Sequence, residues 1–166
     1  MTDLDRERVR QAELDALDLD AFAETAFDDL THAAAETLNA PIATITIIDG
    51  AWQWFKSKVG LEHGPTLRAN AFSDYAIRTP DSFFVVEDAA ADPRFANHPL
   101  VTGEPHIRFY AAAPLRLSSG QAIGTVDIMD TRPRKVDPAK LDQLKFMADQ
   151  VVATLEARSQ RGTRSS

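Results

Sequence analysis

The chain has 166 residues, a net charge of −7 and no cysteine. A chain of this length makes one domain, burying roughly 70% of the surface it exposes when unfolded. The acidic balance speaks against a surface that tracks nucleic-acid phosphates, and the missing thiols exclude disulfides, thiolate nucleophiles, thiolate metal sites and thioether-bound chromophores.

Met1 to Glu7 is charged and lacks the apolar stretch of a signal peptide. No apolar run approaches the ~18 residues of a membrane span. The expectation is a cytoplasmic protein with no membrane contact. Residues 1–19 read as a short helix and connector, residues 20–158 as the domain proper, and residues 159–166 as a flexible, fraying tail. On a wheel of ~100° per residue, Phe22, Ala26, Phe27, Leu30, Ala33, Ala34 and Leu38 share one half of a second helix. Glu24, Asp28, Asp29 and His32 lie opposite, and Asp18 or Asp20 can cap its start.

Ile42 to Ile48 is β-branched and short, hence a strand. Asp49-Gly50 signals a hairpin, with Trp52 to Val59 returning. Residues 60–70 read as a loop, and Ala71 to Arg78 as a short helix stopped by Pro80. Phe83 to Val86 is a third strand, followed by a structured excursion over 88–106 with at most one helical turn. Arg108 to Leu115 and Ile123 to Met129 are the next strands. Asp137-Pro138 places a cap before a first-turn proline. The helix that follows carries one wide apolar stripe through Leu141, Leu144, Met147, Ala148, Val151, Val152 and Leu155. A narrower stripe opposite, Phe146, Ala153 and Ala157 with Gln150 between, suggests a second packing face. Strands without βαβ alternation make the class α+β with an antiparallel sheet.

The stretch Pro41 to Asp49, then Trp52 to Ser57 and Val59-Gly60-Leu61, resembles the opening strands of bacterial GAF domains. So do Phe72 to Ile77, Asp92 to Phe95, Pro99 to Gly103, Ile107 to Ala111, Pro114-Leu115 and Gly124-Thr125-Val126, in order over about residues 10–155. The resemblance implies a five- or six-stranded antiparallel sheet. Terminal helices would cover one face and mediate a homodimer. Short helices and the 60–106 excursion would roof a ligand pocket on the other. It also implies binding of a small molecule, tetrapyrrole or haem, and a signal passed to an output-domain partner. Relatives often carry Cys where this chain has Ser73 and Asp127. The methionine sulfoxide reductases of the family need thiols, so that reaction and covalent bilin attachment are both excluded here. No other cofactor is named by the sequence, and haem is weighed down because its axial ligand would be a loop histidine, His98 or His106.

Asp127 sits mid-strand, sharing a face with Thr125 and Met129. It either grips a ligand amine, hydroxyl or guanidinium, or pairs with Arg108, Arg94 or backbone amides. Asp92 and Arg94 either build the pocket roof or merely hold the excursion down. Tyr75 and Tyr110 carry polar tips that need partners if buried. With Trp54, Ser73, Asp92, Arg94, Arg108 and Asp127 they are the ligand-binding candidates, while Phe146, Gln150, Ala153 and Ala157 are the dimer-interface candidates. No metal cluster, Ser-His-Asp set or phosphate loop is readable, so no catalytic residue is assigned. The leading function is a small-molecule sensor relaying occupancy through a helical dimer. The alternative is a ligandless dimerisation or partner-docking module whose pocket is filled by its own aromatics.

Overall fold

The computed structural model describes residues 2–20, 24–69 and 71–164. Helix α1 (Asp3–Ala16) opens with a capping box in which Thr2 accepts from the Asp5 amide and Asp5 from the Thr2 amide, both at 3.1 Å. Helix α2 (Thr25–Thr37) starts at Thr25 rather than beside either aspartate. Asp20 is engaged elsewhere, by the buried amine of Lys56 at 3.1 Å, and Asp18 lies in the left-handed region at φ 52°. Glu24 precedes α2 without capping it, because its carboxylate binds Lys56 at 2.7 Å and Arg158 at 2.5 Å. Phe27 and Ala34 are buried as the amphipathic pattern predicts, while Phe22 lies outside the described residues.

The sheet has six antiparallel strands in the order β3-β2-β1-β6-β5-β4: β1 (Ile42–Asp49), β2 (Trp52–Val59), β3 (Thr66–Leu67), β4 (Phe84–Val86), β5 (Phe109–Arg116) and β6 (Ala122–Asp130). The sixth strand is β3, two residues within the Gly- and Pro-containing loop, too short to leave a periodic signal. At the β1–β6 contact Gly124 faces Ile47, and a Cβ there would stand 1.9 Å from the Thr46 carbonyl oxygen. The close pairing of these central strands therefore requires glycine.

Period-2 alternation divides the core. Ala43, Ile45 and Ile47 of β1, Ala111, Ala113 and Leu115 of β5, and Val126 and Ile128 of β6 pack on α2 and on α5 (Pro138–Arg164). The opposite face, with Ile42, Tyr110, Ala112 and Met129, is roofed by α3 (Phe72–Ala76), a 3-10 turn (Ala89–Ala91), Phe95 and α4 (Pro99–Thr102). In α5, Asp137 caps the Ala139 amide at 2.9 Å, and Leu144, Ala148, Val151 and Leu155 are buried. Phe146, by contrast, is 63% exposed. The polar segment after Arg158, read as a fraying tail, continues α5 as far as Arg164.

Candidate functional site

Strand register brings a set of hydroxyls to one buried carboxyl on the roof side. Thr44 lies opposite Asp127 and Thr46 opposite Thr125. Asp127 is 1% exposed. Its Oδ2 accepts from Thr44 Oγ1 at 2.8 Å and from Thr46 Oγ1, and its Oδ1 accepts from the Tyr110 hydroxyl at 2.5 Å. Above them, Ser73 of α3 accepts from Thr125 Oγ1 at 3.0 Å and lies 3.2 Å from the Tyr110 hydroxyl. All six side chains are buried, and they satisfy one another.

Burial pushes the Asp127 carboxyl above its usual range, against the neighbouring hydroxyls of Thr125, Thr46, Tyr110 and Thr44, which pull it down. Burial, with the adjacent carboxylate, pushes the Tyr110 hydroxyl well above 10.0. Tyr110 therefore stays protonated and donating at neutral pH. Asp127 is engaged by Tyr110 rather than Ser73, so among the described residues no base contacts the Ser73 hydroxyl directly.

Aromatic rings close the roof. Phe72 stacks on Tyr110 at 4.7 Å and on Phe95 at 4.3 Å, while Tyr75 meets Phe95 edge-on at 5.1 Å. His98 leans on Phe72 at 4.8 Å and accepts from the Leu100 amide at the start of α4, burial holding its pKa below the usual value.

The GAF domain family model matches residues 23–155. The chain belongs to the GAF domain family. A cyclic di-GMP phosphodiesterase of Pseudomonas aeruginosa is 42% identical over 129 residues, 77% of this chain but only 22% of that protein's length. The fold is also that of the GAF domain from the Acinetobacter phosphoenolpyruvate-protein phosphotransferase, with TM-score 0.68, 16% identity and 95% of each chain covered. Free methionine-R-sulfoxide reductase from Neisseria meningitidis matches with TM-score 0.68 and 15% identity, covering 89% of this chain and 86% of that one. This GAF domain has no cysteine.

Within the GAF domain the predicted site residues separate into groups. Ser73, Tyr110 and Asp127 converge, but neither arginine offered as the partner of Asp127 reaches it. Arg94 closes a two-pronged pair on Asp92 (3.0 and 2.7 Å) and lies over Phe84, Phe95 and Tyr75 at 5.2, 5.3 and 5.7 Å. Arg94 and Asp92 line an open cleft of about 600 Å3 along β4, outside the cluster. Arg108 donates to the Val101 and Ile107 carbonyls, both at 3.0 Å, and so serves loop closure. Trp54 lies on the helix-covered face, opposite Ile47, and donates to Asp49 at 3.2 Å. Its odds with the pocket reading come from register, since its neighbour Phe55 is the one that packs towards the roof.

Sequence reasoning missed Thr44 and Thr46, although their i, i+2 spacing already puts both on one strand face. It also missed a charged array joining α1 to α3. Arg10, buried, donates to the Ile48 carbonyl at 2.9 Å and twice to Glu7 at 2.9 Å. Glu7 also accepts from Arg68 at 2.5 Å, and Arg68 donates on to Asp74 of α3 at 2.6 Å. Burial pushes the Glu7 carboxyl up, yet Arg10 and Arg68 together outweigh it and hold the pKa at about 2.

Proposed function

We propose that this GAF domain is a regulatory module that signals through its helices, with the roof-side cluster filled by its own side chains. The observation that carries this reading is the saturation of Asp127. Both carboxyl oxygens are taken by Thr44, Thr46 and Tyr110, and Phe72 is stacked over the last. A ligand reaching Asp127 would have to break one of these contacts and displace a stacked ring. The stripe of α5 formed by Phe146, Gln150, Ala153 and Ala157 at i, i+4, i+7 and i+11, exposed at its first three positions and half-buried at Ala157, supports pairing with a second copy. Similarity to one segment of a cyclic di-GMP phosphodiesterase supports an output in a neighbouring or partner signalling domain.

A second reading, a small-molecule sensor, is favoured by the convergence of five polar side chains of the sheet with Ser73 of a roof helix only five residues long. Native mass spectrometry of protein purified from its own source separates the two. The first reading expects a dimer with the mass of two bare chains. A retained small molecule, lost in Asp127→Asn, would overturn it in favour of the sensor.

A further inference from the structure

The geometry points to α1 as a latch that holds the roof helix closed over the Asp127 cluster, through the chain of contacts Glu7–Arg68–Asp74. This goes beyond the function proposed above, and it holds whether the cluster stays self-filled or admits a ligand.

Helix α3 cannot set its own position. It has five residues, and its N-cap, Ala71, makes no side-chain cap. An isolated helix that short is unstable in water, so tertiary contacts must place it. Phe72 and Ser73 anchor its inner side to Tyr110 and Thr125. On its other side Asp74, with a side chain 14% exposed, is gripped by Arg68. Arg68 is in turn held by Glu7, 61 positions away along the chain, with Nη1 on Oε1 at 2.5 Å and Nη2 on Oε2 at 3.3 Å.

The same Glu7 carboxylate binds Arg10, whose guanidinium fastens α1 to the sheet through the Ile48 carbonyl. One side chain thus joins the seat of α1 to the seat of the roof. The remaining hold on α1 is mostly polar and peripheral: Gln11 donates to Asp49 and accepts from the Gly50 amide, both at 2.7 Å, and Glu13 accepts from Ser119 at 2.6 Å, while of its apolar side chains Leu14 is buried but Leu4 and Val9 are exposed. An element with so few buried apolar contacts opens at a lower free energy than the core helices. When α1 lifts, Glu7 leaves Arg68, and α3 loses a tether beside the two residues that close the cluster. Coupling of this kind is reciprocal, so disturbing the roof must loosen α1 in turn.

Hydrogen exchange on the full chain tests both directions. Glu7→Gln keeps the shape and removes the charge. It should speed exchange of the α3 amides and of its C-cap, such as Tyr75 and Ile77, by about 5-fold or more, within the 5- to 150-fold range of typical coupling. Asp74→Asn should speed exchange across α1 by a similar factor, although it touches no residue of that helix directly. Arg68→Lys, which keeps the charge but loses the fork, should fall between wild type and Glu7→Gln in α3. Asp149→Asn, breaking an exposed pair on α5, should leave both regions unchanged. The latch is overturned if Glu7→Gln leaves α3 at the wild-type rate, or if Asp74→Asn leaves α1 so. It is equally overturned if either variant speeds Leu144 to Leu155 of α5 by the same factor, since that is global loosening. Should Glu7→Gln not fold, the α3 rates of Arg68→Lys decide on the same criterion. A ligand found by mass spectrometry would end the self-filled reading and leave these expectations intact.

Discussion

Replacing Tyr110 with Phe removes a single oxygen from the roof-side core. The ring keeps its stacking against Phe72 at 4.7 Å, so the change isolates the hydroxyl. That hydroxyl is the donor to Asp127 Oδ1 at 2.5 Å and the neighbour of Ser73 at 3.2 Å. Leaving a buried acceptor without its donor costs about 1–3 kcal/mol, more when the acceptor is charged. With Asp127 at 1% exposure, solvent is kept from the vacated position, and we expect a loss of about 2 kcal/mol. For a domain of this length that lowers the melting temperature by about 4–8 °C. Thr44→Val, tested beside it, should cost about 1 kcal/mol, because Thr46 still donates to the same oxygen. Urea unfolding followed by tryptophan fluorescence, with calorimetry, measures both. A Tyr110→Phe loss below about 0.5 kcal/mol would refute the claim that this hydroxyl is a principal support of Asp127.

Asp127→Asn should fold, with its amide turned to Tyr110, which can accept and pass its proton to Ser73. Because burial raises the Asp127 pKa above 3.8, the folded state keeps a proton that the unfolded chain sheds, and stability falls as pH rises from about 3.8 through the folded value. The stability advantage of wild type over Asp127→Asn should therefore shrink between pH 4 and pH 7, and an advantage that grows would contradict the assignment. Glu7 acts with the opposite sign: its pKa is lowered from 4.5 to about 2, so its contribution is complete above 4.5 and is lost as pH falls towards 2. The difference between wild type and Glu7→Gln in acid titrations should vanish over that window. Gly124→Ala forces a Cβ to 1.9 Å from the Thr46 oxygen and should cost about 3 kcal/mol or more by thermal melts. Phe146→Glu, on a side chain 63% exposed, should leave the melting temperature of the folded chain nearly unchanged while turning a dimer into a monomer by light scattering. A dimer that survives would place the interface elsewhere.

The strands, the terminal helices and their buried stripes were legible because hydrophobic periodicity is a local signal. What escaped was either very short or distant in sequence. β3, with two residues, has no period to read, and the start of α2 depends on where Lys56, 36 positions beyond Asp20, sends its charge. The Glu7–Arg68 contact spans 61 positions between two charged residues that look, locally, like ordinary surface. Trp54 was assigned by its chemistry, whereas its face follows from pairing with Ile47 across a register shift between Ile45 and Thr46.

Asp127 is the most instructive case, because it is held by Tyr110 and two threonines rather than by either arginine. A carboxylate in the middle of an apolar strand suggests a counter-charge, and the chain offers Arg94 and Arg108. Burying a guanidinium beside it would have required a second desolvation, repaid only by near-ideal geometry. The arginines instead stay at the rim, one against Asp92 and one on loop carbonyls. Threonine solves the problem more cheaply, since it is a strand former that brings a hydroxyl into the sheet without bringing a charge. Thr44 and Thr46 on β1 and Tyr110 on β5 supply the donors to Asp127, and Thr125 on β6 binds Ser73 beside them, all from positions the sheet already fills with β-branched or aromatic residues. The readable sign of such a cage is threonine at i, i+2 on one strand facing Thr-x-Asp on its neighbour. That sign is in this sequence, but it acquires meaning only once the register Thr44↔Asp127 is known.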